Sequence, residues 1–256
     1  MRQSLISAFL MYSRIPMPKV EWTEPNRRYA LGWFPLVGAL IGAALVLWRM
    51  AASWLNAGQL LFAAIAAALP ILMTGGIHMD GFCDVTDARA SYADRETRLR
   101  IMADPHIGSF AVIRACLYFI LQTALFTQIG DVKSALIPAA GYVLSRALSG
   151  FSAVTFRAAK KEGTLQDFVG PAHRQRTVLM VCVFAAAAVT VMLCGGIAAG
   201  CAGAAAAALV FLHYRITAYR EFGGTTGDLC GWFLQRCEIA LLAAAVLAER
   251  LTEVLQ

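Results

Sequence analysis

Three aspartates and one histidine fall within ten residues of the segment Gly75–Asp87, directly after a long apolar run. Asp80, Asp84 and Asp87 are spaced i, i+4 and i+7, so on an α-helix all three side chains project from one face. Carboxylates stacked in this way repel one another, and a cation bound between them removes the repulsion. Carboxylate oxygens suit Mg²⁺, which also takes substrate phosphates as ligands. The segment therefore predicts a Mg²⁺ site, for which Mn²⁺ is a substitute.

The remaining residues of this segment leave several roles open. His78 is compatible with a metal ligand, a general base or a hydrogen bond at the membrane interface. Gly76 and Gly81 indicate either a close approach of the backbone to another group, such as substrate phosphate, or an unwound end of the apolar helix. The competing interpretation of the aspartates is an acidic first turn that complements the helix dipole. Three aspartates on one face favour the cation site.

A second acidic candidate ends the charged segment Asp94–Asp104. Leu99 and Met102 fall on one side of this segment and charges of alternating sign on the other, which predicts an amphipathic surface helix. Pro105 interrupts the pattern just before the next apolar run. We expect Asp104 either to complete the metal site or to act as a base.

A third segment, Phe222–Gly231, combines glycines and threonines with an aspartate. Its backbone N–H groups and hydroxyls are suited to phosphate, although the same composition is common in plain turns. The residues assigned here to substrate or phosphate binding are Thr225, Thr226, Gly227, Asp228 and, at the start of the next predicted span, Glu238.

Arg146 lies inside a predicted membrane span, roughly 15 Å of helix from its cytoplasmic end. A charge at that depth requires a partner or a watery cavity. We expect its guanidinium to hold a pyrophosphate oxygen of the substrate.

The composition predicts the class of fold that positions these residues. The chain has 256 residues, of which 59% are hydrophobic and only 15% are charged, so we predict an all-α polytopic membrane protein that forms one catalytic domain over residues 1–256. About seven transmembrane helices are expected, within a range of six to eight. Residues 1–12 are expected to form a short interfacial helix. The predicted spans are Tyr29–Trp48, Ala57–Met73, Ser109–Ile129, Ser134–Phe156, Thr177–Gly195, Ile197–Tyr214 and the shorter Glu238–Ala248.

The basic residues predict the orientation of the chain. Five of the 22 Lys and Arg residues precede the first span, which places the N-terminus and the acidic loops in the cytoplasm. The first six predicted spans contain no Asp or Glu, and this argues against an ion-coupled transporter. The net charge of +6 is accounted for by loops that face anionic membrane lipid, and no nucleic-acid-binding module is visible.

The segment Gly75–Asp87 closely resembles the signature of the cobalamin synthase family, the adenosylcobinamide-GDP ribazoletransferases of vitamin B12 assembly. The resemblance covers nearly the whole chain. The other matching segments are Phe9–Pro18, Trp33–Gly38 with Gly42, Asp94–Asp104 followed by Ile107 and Gly108, and Gly224–Asp228 with Glu238.

This resemblance implies a Mg²⁺-dependent enzyme of the bacterial cytoplasmic (inner) membrane. The implied reaction transfers adenosylcobinamide phosphate from adenosylcobinamide-GDP to α-ribazole or α-ribazole 5′-phosphate and releases GMP. Association into a homo-oligomer stays open. The implied metal and pyrophosphate ligands are Asp80, Asp84 and Asp87, with Asp104, Asp228 and Glu238 as further site candidates. Asp87 or Asp104 is the expected base, and His78 is the third catalytic candidate.

Two other classes remain as alternatives. CDP-alcohol phosphotransferases of lipid synthesis also place aspartates a helical turn apart beside Mg²⁺. Cys83 and Asp84 stand where that family has an Ala-Arg pair, and its later acidic element is missing here. The less favoured alternative is an ion or metabolite transporter.

Overall fold

The structure is a computed structural model that describes residues 1–160 and 162–255. Within these ranges all regular secondary structure is helical, apart from an isolated bridge between Ala158 and Thr225. The helices are α1 Arg2–Tyr12, α2 Glu24–Arg27, α3 Ala30–Trp54, α4 Gln59–Thr74, α5 Ile77–Ala90, α6 Arg95–Ile101, α7 Ser109–Phe126, α8 Val132–Thr155, α9 Thr164–Val169, α10 Arg174–Gly195, α11 Ile197–Glu221 and α12 Gly227–Val254.

Five described helices are long and apolar enough to cross a membrane, namely α3, α7, α10, α11 and α12. Counting α4 and α5 as one broken span gives six, but these two helices meet at 96°. Because α5 carries three aspartates and Arg89 in 14 residues, we treat it as lying outside the spanning segments. The prediction of an all-α polytopic membrane protein is confirmed.

The bend between α4 and α5 occurs at a pair of glycines. Gly75 and Gly76 have φ angles of 70° and 82°, a left-handed conformation that side chains with a Cβ avoid. Gly76 is also the residue that precedes the first turn of α5. The glycine pair therefore turns the chain from an apolar helix into the acidic one.

The predicted span Ser134–Phe156 corresponds to α8, which is not among the five apolar helices. It carries buried polar side chains at Ser145, Arg146, Ser149 and Ser152. These residues contact protein rather than lipid, because α8 packs against α3, α10 and α12. Helix α8 is therefore the centre of the bundle, and its polar content reflects burial within the protein.

The last helix is much longer than predicted. In place of a marginal span at Glu238–Ala248, α12 is continuous over 28 residues. The charges at Asp228 and Arg236 interrupted the apolar pattern, which is why its first turns were missed. Glu238 consequently lies roughly 16 Å inside the helix rather than at its start.

The connections between helices gather at two opposite ends of the bundle. At the first end, the Arg14 N–H donates to the carbonyl of Met73 at 2.7 Å, and the His173 N–H donates to that of Arg28 at 3.1 Å. At the other end, the Gln59 amide donates to the carbonyl of Ile129 at 2.7 Å. Helices α5 and α6 and the N-terminus of α12 belong to the first end, which is called the site end below.

Helices α5 and α6 are tied to α11 by one carboxylate. Glu221 accepts from Arg89 at 2.9 Å and from Arg98 at 2.7 Å. The predicted amphipathic helix is confirmed as α6. The Asp94 side chain caps it by accepting from the Thr97 N–H at 2.9 Å, and Met102 is buried just beyond the C-terminal end of the helix. The acidic helix α5 is therefore held firmly at its C-terminal end.

Candidate active site

Helix α5 packs unusually closely against the N-terminal part of α12. A Cβ added to Gly81 would lie 2.7 Å from the Asp228 Cα, and one added to Gly231 would lie 2.9 Å from the carbonyl oxygen of His78. The close approach that Gly81 indicated is therefore an approach of one helix to another. It brings Asp228 against the first aspartates of α5.

We expect Gly81→Ala to destabilise the protein by about 1–3 kcal/mol, because a methyl group does not fit between the two backbones. The measurement is the unfolding transition of the detergent-solubilised protein. Gly130→Ala is the matched control, since no atom lies within 4 Å of a Cβ at that position. An equal effect of the two substitutions would contradict this packing argument.

Four carboxylates form an acidic cluster at the site end: Asp80, Asp84, Asp87 and Asp228. Burial raises the pKa of Asp84 to about 7, and the neighbouring negative charges of Asp80, Asp228 and Asp87 add to the effect of burial. The same surroundings raise the pKa of the Cys83 thiol to about 11, so Cys83 stays protonated and packs as a small side chain. The cluster therefore carries more negative charge than its own residues neutralise.

This electrostatic arrangement has a consequence for stability. Because the pKa of Asp84 is above its ordinary value of 3.8, its protonated form stabilises the folded state, and this contribution is lost as pH rises through about 7. We expect the melting temperature of the metal-free protein to fall between about pH 4 and pH 7. This fall should be steeper than that of the Asp84→Asn variant. Mg²⁺ added at pH 7.5 should raise the melting temperature of the unsubstituted protein. Parallel pH profiles of the two proteins would contradict the assignment.

Asp87 is held by the start of a membrane helix. The Gly108 N–H donates to its Oδ2 at 2.6 Å and the Ala111 N–H donates to its Oδ1 at 2.9 Å. Each oxygen keeps a lone pair for a cation, and the two hydrogen bonds fix the orientation of the carboxylate. The geometry therefore suits a fixed ligand that caps α7 better than the proton-accepting base that the sequence suggested.

Asp104 lies in an exposed turn after α6. Its side chain accepts from the His106 N–H at 2.9 Å and pairs with the His106 ring at 2.7 Å. Within residues 1–160 and 162–255, no hydrogen bond or ion pair connects Asp104 with the acidic cluster. Its predicted place opposite the α5 aspartates therefore stays a prediction.

The two threonines predicted to bind phosphate are occupied by protein contacts. The Thr225 hydroxyl contacts the Tyr214 hydroxyl and is 1% exposed. The Thr226 hydroxyl accepts from the Leu229 N–H at 3.1 Å and caps α12. Both hydroxyls therefore shape the turn that begins α12, whereas Gly227 is exposed beside the acidic cluster. The phosphate-binding role of this segment stays a prediction.

Arg146 and Glu238 form a buried ion pair between α8 and α12. Their closest atoms are 2.7 Å apart, and the two side chains are 1% and 3% exposed. Ser145 also donates to Glu238, at 3.0 Å. The phosphate-binding roles predicted for Arg146 and Glu238 do not fit this geometry, because neither side chain reaches the surface and each neutralises the other.

A cavity of about 250 Å³ lies beside the acidic cluster. Asp80, Gly227 and Asp228 line one part of it, and His78 lines another. His78 is 6% exposed, and neither ring nitrogen has a hydrogen-bond partner among the described residues. The sequence identified these four residues but missed the cavity walls from α1, α3, α8 and α9, since nothing in the local sequence links such distant segments.

The fit of these residues to a metal ion can be judged from their chemistry. No three His, Cys, Asp or Glu side chains in the described part of the chain already surround a single ion position. The acidic cluster nevertheless supplies only carboxylate oxygens, the ligands that Mg²⁺ prefers. Burial and the neighbouring carboxylates raise the pKa of Asp84, and a cation would offset both effects. The chemistry of the donor set therefore fits Mg²⁺.

The fold and the site define a polytopic membrane protein with an acidic cluster and a cavity at one end of its bundle. The family model described as cobalamin-5-phosphate synthase matches residues 4–246. The chain belongs to this family and is thus a transferase of cobalamin biosynthesis. Membership of this family argues against both alternatives drawn from the sequence, the CDP-alcohol phosphotransferase and the transporter.

Curated relatives agree with the family assignment. The adenosylcobinamide-GDP ribazoletransferase of Lachnoclostridium phytofermentans is 43% identical over 246 residues, which cover 96% of this chain and 94% of the relative. Enzymes of the same name from Geobacillus kaustophilus and Clostridium botulinum are 31% and 30% identical, over 91% and 96% of this chain and 91% and 97% of their own. No solved structure matches the chain.

Proposed function

We propose that this chain transfers adenosylcobinamide phosphate from adenosylcobinamide-GDP to α-ribazole or α-ribazole 5′-phosphate, with release of GMP and with Mg²⁺ as cofactor. The observation that carries the proposal is the acidic cluster on the wall of a cavity, in a chain of this family. The family description, cobalamin-5-phosphate synthase, favours the phosphorylated acceptor, because the product that it names retains a phosphate.

The reaction forms one phosphate ester and breaks one pyrophosphate bond. A ribose hydroxyl of the acceptor attacks the phosphorus that carries adenosylcobinamide, and GMP leaves with the bridging oxygen. Mg²⁺, when bound, neutralises the charge that develops on the pyrophosphate. Asp80 and Asp228 would hold the ion, Asp84 would lie beside them as the proton acceptor, and Asp87 would tie the C-terminal part of α5 to α7.

The proton of the attacking hydroxyl requires an acceptor. Asp84 is suited to this role because its pKa of about 7 lies near the working pH of a cytoplasmic enzyme. Asp87 is less suited because both of its oxygens cap α7. Asp80 and Asp228, which share the cavity wall, would hold the cation that neutralises the phosphates.

The direct test supplies the purified protein, in detergent or nanodiscs, with adenosylcobinamide-GDP, an acceptor and Mg²⁺. We expect release of GMP in proportion to the cobalamin product, with Mn²⁺ as an effective substitute and no reaction in excess chelator. Absence of GMP with both acceptor forms and both ions would overturn the proposal.

We also propose that the site end faces the cytoplasm of a bacterium, in its inner membrane. The five Lys and Arg residues before the first span support this orientation, and both nucleotide substrates are cytoplasmic. An impermeant thiol reagent added to intact cells should label a cysteine placed at Gly130, at the opposite end, but not one placed at His106. The reverse pattern would contradict the orientation.

A further inference from the structure

The cavity beside the acidic cluster has walls of two kinds. Its carboxylate part consists of Asp80 and Asp228, and the rest is mostly apolar. Met11, Leu31, Ala153 and Leu165 are among its apolar lining residues. A ligand that fits it has a polar, reactive part at the carboxylates and a compact apolar part against the other walls.

Three flat rings form one side of this cavity. The ring centroids of Phe34 and His78 are 5.5 Å apart, those of Tyr12 and His78 are 6.3 Å apart, and those of Tyr12 and Phe34 are 4.2 Å apart. All three residues line the cavity. Aromatic walls of this kind favour a flat aromatic ligand, which stacks on or meets the rings edge to face.

His78 adds hydrogen-bonding capacity that the protein leaves unused. A neutral imidazole has one N–H donor and one acceptor nitrogen, and both nitrogens of His78 are buried without a partner among the described residues. A buried polar group without a partner costs stability, so a ligand that completes these bonds gains affinity. A ligand with one acceptor ring nitrogen pairs with the imidazole N–H, and apolar edges suit the remaining walls of the cavity.

We propose that this cavity binds the aromatic base of the ribazole acceptor and that His78 hydrogen-bonds to it. The inference rests on the proposed function and assigns one of its substrates to a place. A benzimidazole-type base has one free ring nitrogen, which matches the N–H of His78, and its remaining edges are apolar. Its ribose then lies toward Asp80 and Asp228, where the attacking hydroxyl is needed.

The other parts of the substrates fit this cavity less well. A corrin macrocycle with its side chains is much larger than 250 Å³. The guanine of the donor carries several donors and acceptors along its edges, and these would remain unpaired against Leu31, Phe34 and Leu165. The acceptor base is therefore the best match among the groups in the reaction.

The test separates binding of the acceptor from binding of the donor. His78→Phe keeps a flat ring but removes both nitrogens, so we expect the KM for α-ribazole to rise about tenfold, with the KM for adenosylcobinamide-GDP unchanged and kcat within threefold. His78→Asn, which restores a donor and an acceptor, should recover part of the loss. His213→Phe on α11 is the matched control and should change neither constant.

Equilibrium dialysis of labelled α-ribazole gives a second measurement that does not depend on turnover. His78→Phe should weaken binding about tenfold. Ala153→Leu, which adds bulk to the cavity wall, should weaken binding more than His78→Phe does. Melting temperatures identify any variant that fails to fold. His78→Phe and Ala153→Leu act on different walls, so one misfolded variant leaves the other informative.

Three results would overturn the inference while leaving the proposed function intact. A fall in kcat with both KM values unchanged would make His78 a base. A rise in the donor KM alone would assign the cavity to guanine. Equal binding of α-ribazole by all variants would place the acceptor elsewhere. Failure of the proposed function is recognised separately, because the unsubstituted protein would then release no GMP.

Discussion

Asp80→Asn and Asp84→Asn should each lower the rate of GMP release by about 10²–10³-fold or more. Each substitution keeps the size of the side chain but removes a negative charge from the acidic cluster. The cluster then holds a cation less tightly, and Asp84→Asn also removes the group best suited to accept the proton. The measurement is the initial rate of GMP release at saturating substrates, over a series of Mg²⁺ concentrations.

Asp131→Asn is the matched control for these variants. Asp131 caps α8 through the Ser134 N–H at 2.7 Å, at the opposite end of the bundle, and asparagine caps helices equally well. Its activity should therefore stay within about twofold of the unsubstituted protein. Full activity of both Asp80→Asn and Asp84→Asn would show that the acidic cluster is not the metal site.

Arg146→Met should destabilise the folded protein by about 3–5 kcal/mol, because it leaves Glu238 charged and buried without a partner. Glu238→Met should have a similar effect for the converse reason. The double variant Arg146→Met/Glu238→Met should recover most of the loss, since a buried ion pair replaced by apolar side chains of similar volume is often neutral. Unfolding of the detergent-solubilised protein measures all three.

The same variants distinguish a structural role from substrate binding. If Arg146 holds a pyrophosphate oxygen, the double variant would fold but show a strongly raised KM for adenosylcobinamide-GDP. We expect that KM to be unchanged in the double variant, because neither side chain lines the cavity beside the acidic cluster. Arg250→Met, at an exposed ion pair with Glu253, is the control and should cost less than about 1 kcal/mol.

The parts of the fold that repeat along the chain were predictable. Apolar runs with a helical length predicted α7, α8 and α10 closely, and the i, i+4, i+7 spacing correctly placed three aspartates on one helix. The pattern failed at α12, where Asp228, Arg236 and Glu238 interrupt the apolar run. Their burial depends on neighbouring helices, which hydropathy along one segment does not describe.

The site was predictable in its residue types but not in its pairings. A lone arginine or glutamate in a span does not reveal that Arg146 and Glu238, 92 residues apart, form an ion pair with each other. Glycine and threonine in sequence likewise do not distinguish a phosphate loop from a turn closed by Tyr214. The cavity walls come from six separate helices, so only the folded chain shows His78 facing an apolar space.

The contact between Asp87 and the first turn of α7 joins the acidic cluster to a membrane helix. An ion bound at the proposed site would share the Asp87 oxygens with the Gly108 and Ala111 N–H groups, and it would weaken both hydrogen bonds if it moved the carboxylate. Binding of a cation at the acidic cluster and the packing of α7 would therefore be thermodynamically linked. The free energy by which one changes the other would be the same in both directions. Under the proposed function, a change in the packing of α7 would thus change how tightly the acidic cluster binds Mg²⁺.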